Sequence, residues 1–267
     1  MTTENLSGRS AIVTGGGSGI GQAIALELTA AGVNCVIAGR REEVLAETVG
    51  RNAGPGRIVH IGADIRDPGD RGRVVQAAIE QFGGLDILVN NAGITSLTPM
   101  LEYSVAEWRN VFATHAEAAF FLAQAAIPEL RKSSQARIIN IGSVYGSLGI
   151  NNDYYGDGLP WDNASGSGPV REFAYAAAKG AVLQLTRELA TAVGRWGITV
   201  NSVTPGMIPV DAMPMPEATR ERLSRMTPIG RVGKPEEIAT VVRFVAGAGS
   251  SFMTGSELRA DGGWSIW

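Results

Sequence analysis

The chain has 267 residues, 45% of them apolar and 18% charged, with 35 glycines, a composition that fits one large folded domain and excludes a disordered or fibrous protein. A formal net charge of −3 and the lack of a long basic run argue against nucleic acid or an anionic membrane as partner. The single cysteine, Cys35, rules out an internal disulfide and a cysteine-based metal cluster, and its apolar neighbours place it in a core strand.

In chain order, the opening MTTENLSGR lacks a basic-then-apolar leader, and no apolar stretch approaches the roughly 18 residues of a membrane span, so a cytoplasmic protein is expected. Short β-branched runs then alternate with stretches of helical spacing. Strands are predicted over Ser10 to Thr14, Val33 to Ala38, Arg57 to Gly62, Leu85 to Asn90, Arg137 to Gly142, Ile198 to Thr204 and, more weakly, Ser256 to Ala260. Helices are predicted over Gly19 to Ala31, Glu42 to Gly50, Arg71 to Phe82, Ala106 to Arg131, Tyr175 to Arg195 and Pro235 to Ala246. Strands apolar on both faces and separated by helices imply an α/β fold, a seven-stranded parallel sheet between two helix layers in a single domain over 1–267. Ligands of such sheets lie beyond the carboxyl ends of the strands, so the residues after each run are candidates for chemistry.

After the first strand stands Thr14-Gly15-Gly16-Gly17-Ser18-Gly19-Ile20-Gly21, a glycine turn opening a helix whose N-terminal N–H groups suit a pyrophosphate. The dinucleotide fingerprint G-x-G-x-x-G is not literally met, because its third glycine falls on Ile20. The spacing G-x-x-x-G-I-G instead resembles the short-chain dehydrogenase/reductase family. The resemblance continues through Asp64, Asn90-Asn91-Ala92-Gly93, Ser143, Tyr175-Ala-Ala-Ala-Lys179, Pro205-Gly206, Thr254-Gly255 and Asp261-Gly262-Gly263, nearly the whole chain. It implies a three-layer Rossmann fold and an enzyme that interconverts an alcohol with a ketone or aldehyde by hydride transfer. It also implies a nicotinamide dinucleotide held by Gly15, Gly17, Ser18, Gly19 and Ile20, with Asp64 and Ile65 at the adenine end. Asn91, Ala92 and Gly93 would line the cofactor, as would Pro205, Gly206 and Ile208; the turn preferences of Asn and Gly are an equally valid reading of Asn90 to Gly93.

The ribose end of the second strand carries Arg40 and Arg41 where an acidic residue would select NAD, so NADP(H) is expected over NAD(H). The alternative is that Arg40 stacks on adenine and Arg41 is solvated, and Ser18, where NADP-using relatives often carry a basic residue, keeps it open.

Tyr175 and Lys179 are spaced i, i+4 on one helix face, and a neighbouring cation favours phenolate, which would bring the phenol from about 10 towards neutrality. The resemblance implies that Tyr175 exchanges the proton with the substrate oxygen, Lys179 also holds the nicotinamide ribose, and Ser143 hydrogen-bonds the carbonyl oxygen. His115 falls where the family usually carries an active-site Asn; it either preserves a proton relay, adds a titrating group, or has no proton role.

A further departure is the long interval from Ser143 to Tyr175, most of it a Gly-, Asn-, Asp- and Ser-rich loop over 147–170. Its Asn151, Asn152, Asp153, Asp157, Asp162 and Asn163, with Tyr154, Tyr155 and Trp161, suggest a hydroxyl-rich substrate such as a sugar, polyol or sugar acid, or else a solvated surface loop. The alternative substrate is a 3-oxoacyl thioester, since Pro228 to Glu237 resembles bacterial 3-oxoacyl carrier-protein reductases. Another class, a dinucleotide-binding regulator without turnover, is motivated by His115 and Val210 and opposed by the complete Ser143, Tyr175 and Lys179. Residues 208–225, rich in Met and Pro, read as a substrate flap or a plain connection. Trp264 and Trp267 near the end suggest an interface or a fold back onto the core, and the family resemblance implies a homotetramer.

Overall fold

Ile12 and Val13 bury their side chains on opposite faces of one strand, and that alternation is repeated by Val36 and Ile37, Leu88 and Val89, and Ile138 and Ile139. Each strand therefore needs cover on both sides. The computed structural model describes residues 6–162, 165–210 and 215–266. In chain order its elements are β1 (Ser10–Thr14), α1 (Gly19–Ala30), β2 (Asn34–Gly39), α2 (Glu42–Gly50), β3 (Ile58–Gly62), α3 (Pro68–Phe82), β4 (Ile87–Asn90), β5 (Thr98–Pro99), α4 (Val105–Phe112), α5 (Ala118–Leu130), β6 (Arg137–Ile141), β7 (Val170–Arg171), α6 (Phe173–Val193), β8 (Thr199–Pro205), α7 (Glu217–Met226), α8 (Pro235–Ala246) and β9 (Glu257–Ala260).

Seven strands form one parallel sheet in the order β3-β2-β1-β4-β6-β8-β9. Ile24, Leu28, Ile238 and Val242 from α1 and α8 cover one face; Val74, Leu122, Leu189 and Val193 from α3, α5 and α6 cover the other. The fold class is as expected, a three-layer Rossmann sandwich. Between β1 and β4 the chain reverses its direction of travel across the sheet, and the crevice beyond their carboxyl ends is where such folds hold ligands. Among the described residues no helix is long and apolar enough to cross a membrane.

Element ends follow local chemistry. Helix α3 starts earlier than its apolar spacing predicts, because Asp67 caps it by accepting from the Asp70 N–H and Pro68 occupies its first turn; Gly83, at φ 82°, ends it in the left-handed region. The predicted helix from Ala106 to Arg131 is divided. A π-helical turn at Ala113–Glu117 separates α4 from α5, with the Ala118 N–H donating to the Ala113 carbonyl. The insertion after β6 is not a bare loop: β7 pairs antiparallel with β5, and the side chain of buried Asn152 donates to the carbonyls of Leu159, Pro160 and Val170.

That insertion joins a small separate core. Ile150 and Leu159 pack with Leu223 of α7, Val232 and Trp264, and Tyr154 meets Trp264 edge-on at 5.7 Å. Trp264 is thus buried in its own chain rather than left at a surface, held by Asp261, which accepts from Gly263 and Ser265. Asn163, Trp267 and, within the supposed flap, Met213 and Pro214 lie outside the described residues, as does the side chain of Asp157.

Candidate active site

At the carboxyl end of β1, Gly15 turns at φ 68°; a Cβ there would stand 2.9 Å from the Ala92 Cα. At Gly21 a Cβ would come within 2.2 Å of the Gly15 carbonyl oxygen, so the first turn of α1 closes on the loop only without side chains. The side chain of Ser18, at the head of α1, makes no capping hydrogen bond, which leaves the first-turn N–H groups for an anion. Asn91 stitches β4 to this turn: its Nδ2 donates to the Thr14 carbonyl at 2.8 Å, and the Asn91 and Ala92 N–H groups both donate to Thr14 Oγ1 at 3.0 Å. Asn90 instead donates to Asn140 on the neighbouring strand at 2.9 Å, a purely structural link.

A cleft of about 520 Å³ runs from this turn along the sheet edge. Its lining follows the strand order, with Asp64 and Ile65 after β3, Arg40 and Arg41 after β2, Gly15, Gly17, Ser18, Gly19 and Ile20 after β1, Asn91, Ala92 and Gly93 after β4, and Pro205, Gly206 and Ile208 at the end of β8. Ser143, Tyr175, Lys179 and His115 close the other end. The candidate catalytic and cofactor-binding residues thus share one cavity, which none of the insertion's described candidate substrate residues lines. Its glycine cradle, uncapped helix end and elongated form fit a dinucleotide.

After β3, Arg66 grips the Asp64 carboxylate through Nε at 2.9 and 3.0 Å and also reaches Asn110 of α4. This pairing holds Asp64 down at about 2. Glu42, the nearest acid after the arginines, lays its carboxyl over Gly62 and does not line the cleft, so at the end of β2 the cavity meets Arg40 and Arg41, with Asp64 beside them.

The end with the candidate catalytic residues is built by β6 and α6. Ser143 follows β6, is buried, and accepts from the Tyr145 N–H at 3.2 Å. Buried Lys179 donates to the Ile141 carbonyl at 2.6 Å and stands 5.6 Å from the centre of the Tyr175 ring. Burial lowers the lysine to about 8. The same burial raises Tyr175 to about 12, against the opposing hydrogen bond from Ser143 and with the charge of Glu172 adding to the rise. The expected lowering of the phenol by its i+4 neighbour is therefore not found, because desolvation of the buried ring outweighs the opposing influences.

The π turn directs His115 inward. Its Nε2 lies 2.8 Å from the Ile94 carbonyl and 3.1 Å from the Ile94 N–H, and Gly93 is free of a side chain where a Cβ would strike the ring at 2.6 Å. Burial, with the Lys179 charge, depresses the imidazole to about 3, so it is neutral across the physiological range.

Sequence reasoning did not find Glu172, Tyr145 or Met207. The hydroxyls of Tyr145 and Tyr155 touch each other, and both point at the Met207 sulfur. For Glu172 a signal existed: it precedes Tyr175 by three residues, at the position that caps α6. The polar groups of the insertion, in contrast, turn to their own segment: Asn151 accepts from the Asp153 N–H, Asp153 from Trp161, and Asp162 from the Gly168 N–H.

Comparison with known proteins agrees with this architecture. The family model "short chain dehydrogenase" matches residues 9–155, and "Enoyl-(Acyl carrier protein) reductase" matches 162–265. The chain is a short-chain dehydrogenase/reductase. It belongs, as that family does, to the oxidoreductases that bind a nicotinamide dinucleotide. It is 37% identical to the 3-oxoacyl-[acyl-carrier-protein] reductase FabG of Pseudomonas aeruginosa, over 97% of this chain and 98% of that one. It is 31% identical to a D-beta-hydroxybutyrate dehydrogenase of Rhizobium meliloti, over 96% and 98%. The RhlG/NADP active-site complex of Pseudomonas aeruginosa superposes with a TM-score of 0.86 at 34% identity, covering 99% of both chains.

Proposed function

We propose that this short-chain dehydrogenase/reductase reduces a ketone to an alcohol with NADPH, using Tyr175 as the acid, Ser143 as the hydrogen-bond donor to the carbonyl oxygen and Lys179 as the supporting cation. The observation that carries the reading is the continuity of one cleft from the Gly15 turn to Ser143, Tyr175 and Lys179.

The nicotinamide, when bound, supplies the hydride. Gly15 to Ile20 and the head of α1 hold its pyrophosphate, Asp64 and Ile65 its adenine, and Asn91 to Gly93 with Pro205, Gly206 and Ile208 the remainder. Arg40 and Arg41 meet the 2′-phosphate, and the carboxylate that shares their end of the cleft, Asp64, is held by Arg66. Tyr175, raised to about 12, enters as a neutral phenol and gives its proton to the oxygen on which negative charge develops. The Ser143 hydroxyl stabilises the same oxygen. Lys179, near 8, is largely cationic at pH 7 and favours the phenolate that the proton transfer leaves behind. His115 has no acid role at a value of about 3.

For the substrate, the names of the relatives favour a 3-oxoacyl compound. A polyol has less support, since the side chains of Asn151, Asn152, Asp153 and Asp162 make hydrogen bonds within the insertion. A homotetramer is the assembly we favour: Trp108, Phe120 and Phe121 on α4 and α5 are large apolar side chains left exposed, which further copies would cover.

The test is oxidation of NADPH with an acetoacetyl thioester and ethyl acetoacetate, beside Tyr175→Phe. A loss of at least about 100-fold in kcat with dinucleotide binding retained is expected. Undiminished turnover in Tyr175→Phe overturns the assignment, and dinucleotide binding without turnover on any 3-oxo compound overturns the substrate class.

A further inference from the structure

Asp64 and Arg66, two residues apart after β3, both line the cleft, together with Arg40 and Arg41 from the end of β2. The two strands pair with Gly39 beside Gly62, and the Ala63 N–H donates to the Gly39 carbonyl at 2.9 Å. The arginines and the Asp64–Arg66 pair therefore leave neighbouring strands at one level. Asp64 is the one acid among the described residues that line the cavity, and the three guanidinium groups lining it share its end.

Arg66 engages both carboxylate oxygens. Its backbone N–H donates to Asp64 Oδ1 at 3.0 Å, its Nε to Oδ1 and Oδ2 at 2.9 and 3.0 Å, and its Nη2 to Oδ2. The remaining nitrogen, Nη1, donates to Oδ1 of Asn110 on α4, which fixes the guanidinium from a separate element. With side-chain exposures of 35% and 30%, the pair adds little to stability; its consequence is where charge is directed. Asp70, the next carboxylate on this side, accepts from the Asp64 N–H at 2.7 Å and from Arg73, and does not line the cleft. After the Arg66 hydrogen bonds, the charge of Arg40 also bears on the Asp64 carboxylate. Arg40 is thus the cation to which Asp64 would turn if Arg66 were removed.

We propose that Arg66 is a positioning residue for cofactor choice: by holding Asp64 it keeps that carboxylate from Arg40 and from the 2′-phosphate, and so sustains the preference for NADPH over NADH. The inference rests on the reading that the cleft holds a dinucleotide with its 2′-phosphate at Arg40 and Arg41. With Arg66 removed, the freed carboxylate either pairs with Arg40 or stands as a like charge beside the phosphate, and both weaken NADPH. NADH presents a neutral 2′-hydroxyl, to which a carboxylate is a good acceptor, so the same change does not penalise it. The two dinucleotides share every other group, so the ratio of their affinities isolates the effect.

The experiment is fluorescence titration of the full-length protein with NADPH and with NADH, at low ionic strength and in about 0.5 M salt. Wild type is compared with Arg66→Met, Arg66→Lys, Asp64→Asn, the double replacement Asp64→Asn with Arg66→Met, and Arg40→Ala with Arg41→Ala. Arg66→Met should cut the wild-type ratio by about 3- to 10-fold at low salt and by less at high salt. Arg66→Lys should keep most of it, and the double replacement, which removes the carboxylate as well, should restore it to within about twofold. Asp64→Asn alone, with Arg66 released towards the cleft, should raise it. An unchanged ratio in Arg66→Met, an equal loss of both affinities, or a double replacement that restores nothing overturns the proposal. Should Arg66→Met fail to fold, a ratio that does not rise in Asp64→Asn overturns it equally. If the preference survives in Arg66→Met and vanishes with Arg40 and Arg41, the cofactor reading stands and this proposal alone fails. A wild type that binds NADH as tightly as NADPH overturns the cofactor reading, and this proposal falls with it.

Discussion

His115 stands edge-on to Tyr175, their rings 5.2 Å apart at 84°, with Nε2 of the imidazole at the Ile94 backbone. The ring supports the phenol by packing, and its depressed value keeps it uncharged. In the unfolded chain a histidine takes its proton near 6.5. As pH falls from there towards 3 the unfolded state binds the proton first, and the stability that neutral His115 contributes is lost. His115→Asn should therefore lose less melting temperature than wild type between about pH 7 and about pH 5, while the shape of its kcat/KM profile over that interval is unchanged. A wild-type kinetic limb near 6.5 that disappears in His115→Asn would refute a purely packing role.

Lys179 is lowered to about 8 by burial, so its positive charge is lost as pH rises through that value. Ketone reduction should accordingly fall on the alkaline side with an apparent pKa near 8. Lys179→Arg should move that limb upward, since a guanidinium keeps its charge, at some cost in absolute rate from the changed shape. Initial rates of both proteins over the alkaline range check this.

Arg40 and Arg41 line the cleft at the end of β2, and the acid that shares this end, Asp64, is paired with Arg66. Replacing both by alanine should weaken NADPH binding by about 10- to 100-fold, the range for losing charge-assisted hydrogen bonds, and leave NADH binding within a few-fold. Fluorescence titration with both dinucleotides measures the two affinities, and equal losses for both would show the arginines are not reading the 2′-phosphate.

Asn152 is buried and satisfies three carbonyls of the insertion. Asn152→Ala strips donors from them and should destabilise the protein by about 1–3 kcal/mol. The loss should be concentrated locally, seen as faster proteolysis within 147–170 and faster amide exchange in that segment than in the main sheet. Uniform protection in the variant would contradict this.

What could be read from the residues in order was local. Ile12-Val13 and Ile138-Ile139 announce strands buried on both faces; Gly15 and Gly21 announce a turn that tolerates no side chain; Tyr175 and Lys179 share a helix face by spacing alone. Such features depend on neighbours a few positions away, so the sandwich and the cleft residues were legible. The division of the Ala106 to Arg131 stretch was not, because a π turn is one extra residue accommodated against the partner that His115 meets at Ile94. Nor was the use of Asn152, whose carbonyl partners were hidden inside a segment read as polar loop.

The sequence by itself determined the layered sheet, the glycine cradle and the residue types at the reacting end, since periodicity and turn chemistry are properties of short stretches. Tertiary structure alone decided the state of charge there. Whether Tyr175 is phenol, whether Lys179 meets the phenol or the Ile141 carbonyl, and whether Glu172 finds a partner are outcomes of desolvation, and desolvation is set by which distant segments close over each group.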